Sequence, residues 1–516
     1  MREIVTLQLG EYANFVGTHF WNIQQAYPEA TPEASEASRD TVPRPTNQDA
    51  IDHHCLYRLG TTVEGHAHTL VPRLLIYDLK ANLGSLRSTP VTTSFPPVES
   101  SLQVSVHRQD PLTPSEYTRT LHAAATDDHL DREGHRNSKA KEREHSILAE
   151  KLSDLAPQIE YWADYNESYL DERTLHADFS TLPVNGGLNQ FANFQQGAEL
   201  FRIDANQGDF NEDSLRKLVE EVDCLQGFQV IVNELDAFSG YGAEYLTYVN
   251  DEFPKEPVLV LGVASTAAQL LTQKLNRLLL IQKCLDNDAV YLPLNALAPY
   301  PAAKFQLAEQ LSPAVSSAYT SSALVAATID TLMLPCRTGR ATMQAYLNDL
   351  TGGHQYTLLT AATTFPLALP PIQTPVRTVH KWLDPSLLRP LSYFSTDAWG
   401  QSVANSFALT RHTVIRDAHS QLNPDALQFP HDKFSHDMAV PKSYPQPLLP
   451  PTGSMASLAG AVHIETNSQQ AHWFRAAAKW LRQTRRQFNP AECEADDVLE
   501  LGEMLQGQAD LYADAL

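Results

Sequence analysis

MREIVTLQLGEYANFVGTHFWNIQQAY, residues 1–27, decides the fold. Residues 2–9 (REIVTLQL) alternate and are rich in branched side chains, the pattern of a strand. Gly10 follows, and YANFVGTHFWNIQQAY then sets Phe15, Phe20 and Ile23 at helical spacing. A strand, a glycine turn and a helix in that order form the basic unit of an α/β nucleotide-binding fold.

Further along, Arg73–Leu79 (RLLIYDL) is almost continuously apolar, as in a strand covered on both faces of a parallel sheet. Phe228–Val232 and Pro257–Ala264 (PVLVLGVA) repeat the signal. Helices are predicted over Glu212–Cys224, where Leu215, Leu218, Val219 and Val222 share a face, and over 265–285 and 314–332. Residues 1–300 therefore read as one βαβ domain with a parallel sheet. It is broken after Pro28 by a polar loop and again at about 88–160 by a polar insertion. The insertion's centre, ATDDHLDREGHRNSKAKEREH, reads as mobile chain or a solvated helix. His122, His129 and His135 lie there without the fixed ligand spacing a metal site needs. Residues 301–400 read as a connecting helix leading into a smaller α+β domain, with a strand at Tyr356–Ala362. Residues 401–516 read as a proline-rich segment and a helical end. Within that end, AHWFRAAAKWLRQTRRQF (471–488) is basic and amphipathic, with Trp473, Ala477, Trp480 and Leu481 on one side. Such a helix can lie on a membrane or in a partner's groove, but is more often a packed surface helix. An acidic helix follows at Ala495–Leu511.

Composition narrows the function classes. The chain has 516 residues, enough for two or three packed domains, and 43% of them are hydrophobic. Its 38 basic and 61 acidic residues give a formal charge of −23, which repels phosphate backbones and anionic headgroups and disfavours direct nucleic-acid binding. No run of about 18 apolar residues is present, so no membrane-spanning helix is expected. The N-terminus carries Glu3 and Glu11 and has neither the layout of a signal peptide nor that of a matrix presequence. Five scattered cysteines (Cys55, Cys224, Cys284, Cys336, Cys493) form no CxxC pair and suit a reducing cytosol. There is no GxSxG elbow, HExxH, Walker lysine loop or kinase set, and the adjacent His53 and His54 do not share a face.

The opening segment closely resembles the start of tubulins, of the form MREIVxLQxGxxxNxxGxxFW, through Met1, Arg2, Glu3, Ile4, Val5, Leu7, Gln8, Gly10, Asn14, Gly17, Phe20 and Trp21. Further matches in tubulin order are VPR at Val71–Arg73 with Asp78–Leu79, GAEL at Gly197–Leu200 and DCLQGFQ at Asp223–Gln229. Within that superfamily the chain resembles the Misato family, tubulin-like proteins of mitochondrial distribution and inheritance. The segments carrying this are LQLGEYANFVGTHFWNIQ (7–24), PRLLIYDLKANLGSLR (72–87) and LDAFSGYG (235–242).

The resemblance implies a guanine-nucleotide site, for GTP or GDP, in degenerate form. A phosphate needs backbone N–H groups in a glycine-rich turn at a helix N-terminus. Tubulins supply GGGTGSG; here Asp236, Ala237, Phe238, Ser239, Gly240, Tyr241 and Gly242 stand in that place. Asp236 would repel a phosphate and Phe238 would crowd it. Glu11 stands where tubulins carry a glutamine, and Lys80 replaces an acid that helps hold magnesium. Asn295 matches one guanine-reading asparagine, whereas the second falls near Ser322–Ala323, where there is none. Asp349 lies where tubulins place their polymer-contact loop, without the surrounding motif. The residues carried over as nucleotide contacts are thus Gly10, Glu11, Tyr12, Asp78, Ser239, Gly240, Tyr241, Gly242 and Asn295. Gly10, Gly240 and Gly242 read equally well as turn glycines required by the backbone.

The favoured reading is a tubulin-like α/β fold without catalytic residues, bound metal or an established cofactor. The resemblance implies a role in mitochondrial inheritance and partitioning of mitochondrial DNA. It places the protein on the cytosolic face of the mitochondrion and in the cytoplasm, with protein partners at the mitochondrial surface or cytoskeleton. The alternatives are a GTP-binding or GTP-hydrolysing filament former, and a factor associated with the chaperonin that folds tubulin.

Overall fold

The computed structural model describes residues 2–30, 50–61, 68–88, 113–131, 138–177, 191–206, 211–265, 270–295, 317–364, 389–395, 408–416, 430–449, 457–488, 493 and 495–514. The opening unit forms as the sequence dictates. β1 (Glu3–Leu9) ends at Gly10, whose φ of +95° makes the turn, and α1 (Glu11–Ala30) follows. A hairpin, β2 (Tyr57–Thr61) and β3 (His68–Pro72), leads to β4 (Leu74–Tyr77). The stretch read as a polar insertion carries α2 (Glu116–Asp131) and α3 (Ser138–Leu155), whose Tyr117, Leu121, Leu152 and Leu155 enter the core. His129 and His135 lie outside the residues whose side chains are described, and His122 is exposed.

The parallel sheet is completed by β5 (Leu175–His176), α4 (Phe194–Asn206), α5 (Asn211–Glu220), β6 (Leu225–Asn233), α6 (Phe238–Glu252), β7 (Val258–Val263), α7 (Leu271–Asp286) and β8 (Val290–Leu294). Its order is β5-β4-β1-β6-β7-β8, with every neighbouring pair parallel. β1 is central, and alternate side chains go to opposite faces. Ile4, Ile76, Ile231, Leu261 and Leu292 pack beneath α1 and α8 (Ala318–Leu332), while Val5, Leu7, Leu75, Val230 and Val260 pack beneath α4, α6 and α7. Burial on both faces is why these strands read as apolar runs.

α8 is buried from Tyr319 to Leu332 and is capped by Ser317, whose hydroxyl accepts from the Thr320 amide at 3.2 Å. After a short helical turn at Leu334–Arg337 comes α9 (Met343–Thr351), which stops at Gly352 in the left-handed conformation (φ +62°). A second sheet then forms from β9 (Thr360–Thr363), β10 (Arg389–Pro390), β11 (Ala408–Arg416), β12 (His431–Phe434) and, after the short pair β13 (Met438–Ala439) and β14 (Ser457–Leu458), β15 (Gly460–Asn467). Its order is β10-β9-β15-β11-β12, antiparallel except for β11 with β12. The chain closes with α10 (Gln469–Thr484) and α11 (Ala495–Asp514). Trp473, Phe474, Ala477, Ala478 and Leu481 of α10 are buried in the second core. The apolar side predicted for the basic helix is therefore covered by protein. No helix among the described residues is long and apolar enough to cross a membrane.

Two buried ionic networks join these parts. Asp330 of α8 is fully buried and pairs with both Arg337 and Arg416 of β11, the latter at 2.7 Å. Tyr27 donates to Asp330 at 2.6 Å and Gln24 at 2.7 Å, which brings α1 into the same cluster. Burial alone would raise the Asp330 pKa, but the two guanidinium groups overrule it and hold the carboxyl below its ordinary value. At the other end of the sheet, Glu234 takes two donors from Arg277, at 2.9 and 2.5 Å, and the Tyr291 hydroxyl at 2.5 Å. Tyr393, from the segment next to β10, lies 4.0 Å beneath the Arg277 guanidinium.

Candidate nucleotide-type site

The turns after β1, β4 and β6 meet at the carboxyl edge of the parallel sheet, where open α/β folds bind ligands. At the first turn, a Cβ on Gly10 would lie 2.9 Å from the Phe238 ring and 3.0 Å from the Asn233 Cβ. Phe238 is thus seated directly against the β1–α1 turn. It is 2% exposed and packs edge-on to Phe191 at 5.1 Å.

Asp236 sits where the α6 N-terminus would face a phosphate. Its carboxylate accepts from the Phe238 amide at 2.9 Å and from Asn233 Nδ2 at 2.5 Å, and its carbonyl accepts from Ser239 Oγ at 2.6 Å. A side-chain carboxyl therefore already caps this helix end, the place the helix dipole would offer to a ligand. Burial, with the charges of Asp78 and Glu11 adding to it, raises the Asp236 pKa well above the ordinary value.

Asp78 is fully buried and takes four donors: Asn14 Nδ2 at 2.8 Å, Trp162 Nε1 at 2.9 Å, Asn82 Nδ2 at 2.8 Å and its own neighbour's Leu79 amide at 2.7 Å. Burial pushes its pKa up to about 6 against the pull of these donors. Glu11 is the exposed member of the trio, its pKa also raised by desolvation. The structure thus brings Gly10, Glu11, Asp78 and the Asp236 turn together. No group of three or more histidine, cysteine or carboxylate side chains among the described residues could hold a metal ion.

The other predicted residues are placed differently. Ser239, Gly240, Tyr241 and Gly242 lie inside α6 and are buried, so Gly240 and Gly242 are not turn glycines. A Cβ on Gly240 would run into the Phe194 carbonyl, and one on Gly197 into the Ala237 carbonyl. These two glycines let α4 and α6 cross in near backbone contact. Gly242 rests on Leu9 and Val232 of the sheet, and Tyr241 packs edge-on or tilted against Phe201, Tyr77 and Phe238. Tyr12 is buried and donates to Ser321 of α8 at 3.0 Å. Ser322 bonds back to the Tyr319 carbonyl at 3.1 Å and Ala323 is fully buried, so the expected second guanine-reading position lies within the core. Asn295 directly follows β8, buried, its backbone N–H donating to the Leu391 carbonyl at 2.7 Å. Lys80 and Asp349 are exposed.

Sequence reasoning missed three partners. Asn233 could have been found from its i, i+3 relation to Asp236, the spacing of an Asx-type turn. Asn82 and Trp162 carried no local signal, because Trp162 reaches Asp78 only through the folded path of the insertion. As a cradle for a triphosphate these residues fit poorly: the helix end is capped, an aromatic ring covers the glycine turn, and three carboxylates converge.

The comparisons agree with the architecture. Residues 2–123 match the Misato Segment II tubulin-like domain family, and residues 152–338 match the Tubulin domain family. A protein named DML1 from Gibberella zeae is 30% identical over 342 residues, covering 65% of this chain and 61% of its own length. A protein named dml1 from Aspergillus clavatus is 27% identical over 347 residues, 65% and 60% of the two chains. Protein misato homolog 1 of Danio rerio is 30% identical over 286 residues, 51% and 45%. The matched region thus spans less than two thirds of these relatives. With its central glycine-turn unit and its all-parallel sheet, the chain carries a Misato Segment II tubulin-like domain followed by a Tubulin domain, and it resembles the Misato family of tubulin-like proteins in that order of parts.

Proposed function

We propose that this protein is a non-enzymatic, tubulin-shaped factor for mitochondrial distribution and inheritance, including the partitioning of mitochondrial DNA. It acts at the cytosolic face of the mitochondrion and in the cytoplasm by binding protein partners. The mitochondrial part rests on the family resemblance. The non-enzymatic part is carried by one observation: Asp236 caps the α6 N-terminus while Phe238 covers Gly10, so the protein's own side chains take the place a γ-phosphate would need. Such a site offers no uncapped helix end to drive phosphate binding, and its carboxylates oppose the charge that phosphoryl transfer would have to stabilise.

The tubulin-domain match favours a second reading, in which Gly10, Glu11, Tyr12, Asp78, Ser239–Gly242 and Asn295 still hold GTP or GDP. The nucleotide content of gently purified protein, measured by denaturation and chromatography beside a GTP thermal-shift titration, separates the two. The proposal expects no nucleotide and no GTP-dependent shift; stoichiometric GDP or GTP would establish the second reading. Chaperonin subunits co-purifying with a nucleotide-free chain would point instead to a role beside tubulin folding. The cellular role is tested by depleting the protein and scoring mitochondrial distribution and mitochondrial DNA retention. Normal inheritance after depletion would sink it.

A further inference from the structure

On a chain of net charge −23, α10 and the turn that ends it carry four of their basic residues in one line. Arg475, Lys479, Arg482 and Arg486 follow one another at intervals of four, three and four and are all exposed. At about 100° per residue these positions fall within about 60° of the helix circumference, over about 17 Å. The opposite face of α10 is the buried apolar one, so the stripe looks outward.

α11 packs antiparallel beside α10, as the Arg475–Asp510 pair at 3.8 Å and the Phe474–Tyr512 ring contact show. Its outward face carries Asp496, Glu500, Glu503 and Asp510, all exposed. These run at the same four-three rhythm, with Gly507 at the position that would continue it. Gly507 is exposed and a Cβ there would meet nothing within 4 Å. Glycine is the poorest non-proline helix former, and nothing among the described residues packs on it to explain its use. It leaves a notch in the acidic stripe where a long side chain from outside could lie. Leu499, 43% exposed, borders the same face.

A basic stripe and an acidic stripe of similar length, side by side, are a poor fit to an anionic membrane, because the acidic one would face the same headgroups. They are complementary to a surface with the same two stripes exchanged. A two-fold axis parallel to the helices makes that exchange: α10 of one copy lies over α11 of the other, and Arg475 of one comes level with Asp510 of the other. A two-fold axis across the helices would set like on like.

The geometry points to a second copy of this chain as the occupant, docked through the α10–α11 face in a two-fold, charge-paired dimer. The face offers roughly 500 Å² per copy, at the low end for specific contacts, so the dimer is weak and salt-sensitive. Association is expected at ~0.05 M salt and absent at ~0.5 M.

The test is a charge swap on the full chain, read by sedimentation velocity over a concentration series. Variant one carries Lys479→Glu, Arg482→Glu and Arg486→Glu; variant two carries Asp496→Lys, Glu500→Lys and Glu503→Lys. The proposal expects each variant alone to be monomeric at low salt and an equimolar mixture of the two to dimerise, since the exchanged stripes then match. Recovery in the mixture also shows that both variants fold. Wild-type protein that stays monomeric at low salt overturns the proposal. So do variants that associate as well as wild type, or a mixture that remains monomeric although both variants show native circular dichroism. Capture on phosphatidylserine vesicles without self-association would reassign the stripe to lipid and overturn it as well.

Discussion

Replacing Asp330 by asparagine should be among the most damaging single changes outside the apolar core. The carboxylate is fully buried between Arg337 and Arg416, which are 1% and 0% exposed. The cluster holds two positive charges and one negative one, so it is already one anion short. The neutral amide would leave two buried guanidinium groups facing each other with no counter-charge. Breaking a buried pair by removing one partner costs roughly 3–5 kcal/mol, a factor on the order of 10² to 10⁴ in the folding equilibrium. Arg416→Met provides the contrast. It leaves a neutral Asp330–Arg337 pair and refills most of the volume, so its cost should be smaller, about 1–2 kcal/mol. Urea denaturation followed by tryptophan fluorescence measures both. A cost for the Asp330→Asn change below about 1 kcal/mol, or below that of Arg416→Met, would refute the charge argument. The pH dependence has the matching sign: a depressed folded-state pKa means this stabilisation is present above the unfolded carboxylate value and is lost as acid protonates Asp330.

Gly240→Ala should behave as a folding mutation. Its methyl would press on the Phe194 carbonyl and part α4 from α6 at a cost of about 3 kcal/mol or more, and wild-type melting would refute this. His19, between the Tyr165 and Tyr319 rings, has its pKa lowered by burial to about 3. It stays neutral when folded and must charge on unfolding, so its stabilisation is complete above about pH 6.5 and falls by about 2 kcal/mol at pH 5. His19→Gln should flatten that limb of the stability curve, and an unchanged slope would show that other groups set it. For Asp236 the sign is reversed: its raised pKa means the folded state is penalised as pH rises through the folded value. Asp236→Asn, which keeps an acceptor for the Phe238 amide once Asn233 turns its own amide over, should therefore raise the melting temperature at pH 8. A lower one would show that the charge is needed.

Where the sequence was legible, burial was two-sided. β4 and β7 are covered on both faces and appear as apolar runs, β6 does so over Val230–Val232, and β1 was readable from its alternating branched residues, so the parallel sheet could be read directly. β11 (ALTRHTVIR) and β12 (HDKF) could not be read this way, because their polar side chains are spent in local pairs. Arg411 meets Glu465 at 3.0 Å and His412 meets Asp432 at 3.0 Å. The second sheet was therefore invisible apart from the segment around β9. In the site, the Gly10 turn was readable from its neighbours, whereas Gly240 was not. A helix-crossing glycine and a phosphate-loop glycine look alike until α4, some 40 residues earlier in the chain, is seen lying against it.

The central place of β1 also has a consequence for how the chain is made. β1 is synthesised before both of its neighbours in the sheet, β4, ending at Tyr77, and β6, ending at Asn233. At 5–20 residues per second, a ribosome needs roughly ten to thirty seconds to pass from one to the other. Through that interval an apolar strand shows an open hydrogen-bonding edge, and α8, the lid over one face, comes later still. A nascent chain in that state exposes an edge on which other chains can pair. Fragments ending before Leu225 should be insoluble, and those reaching Leu332 should be markedly less so.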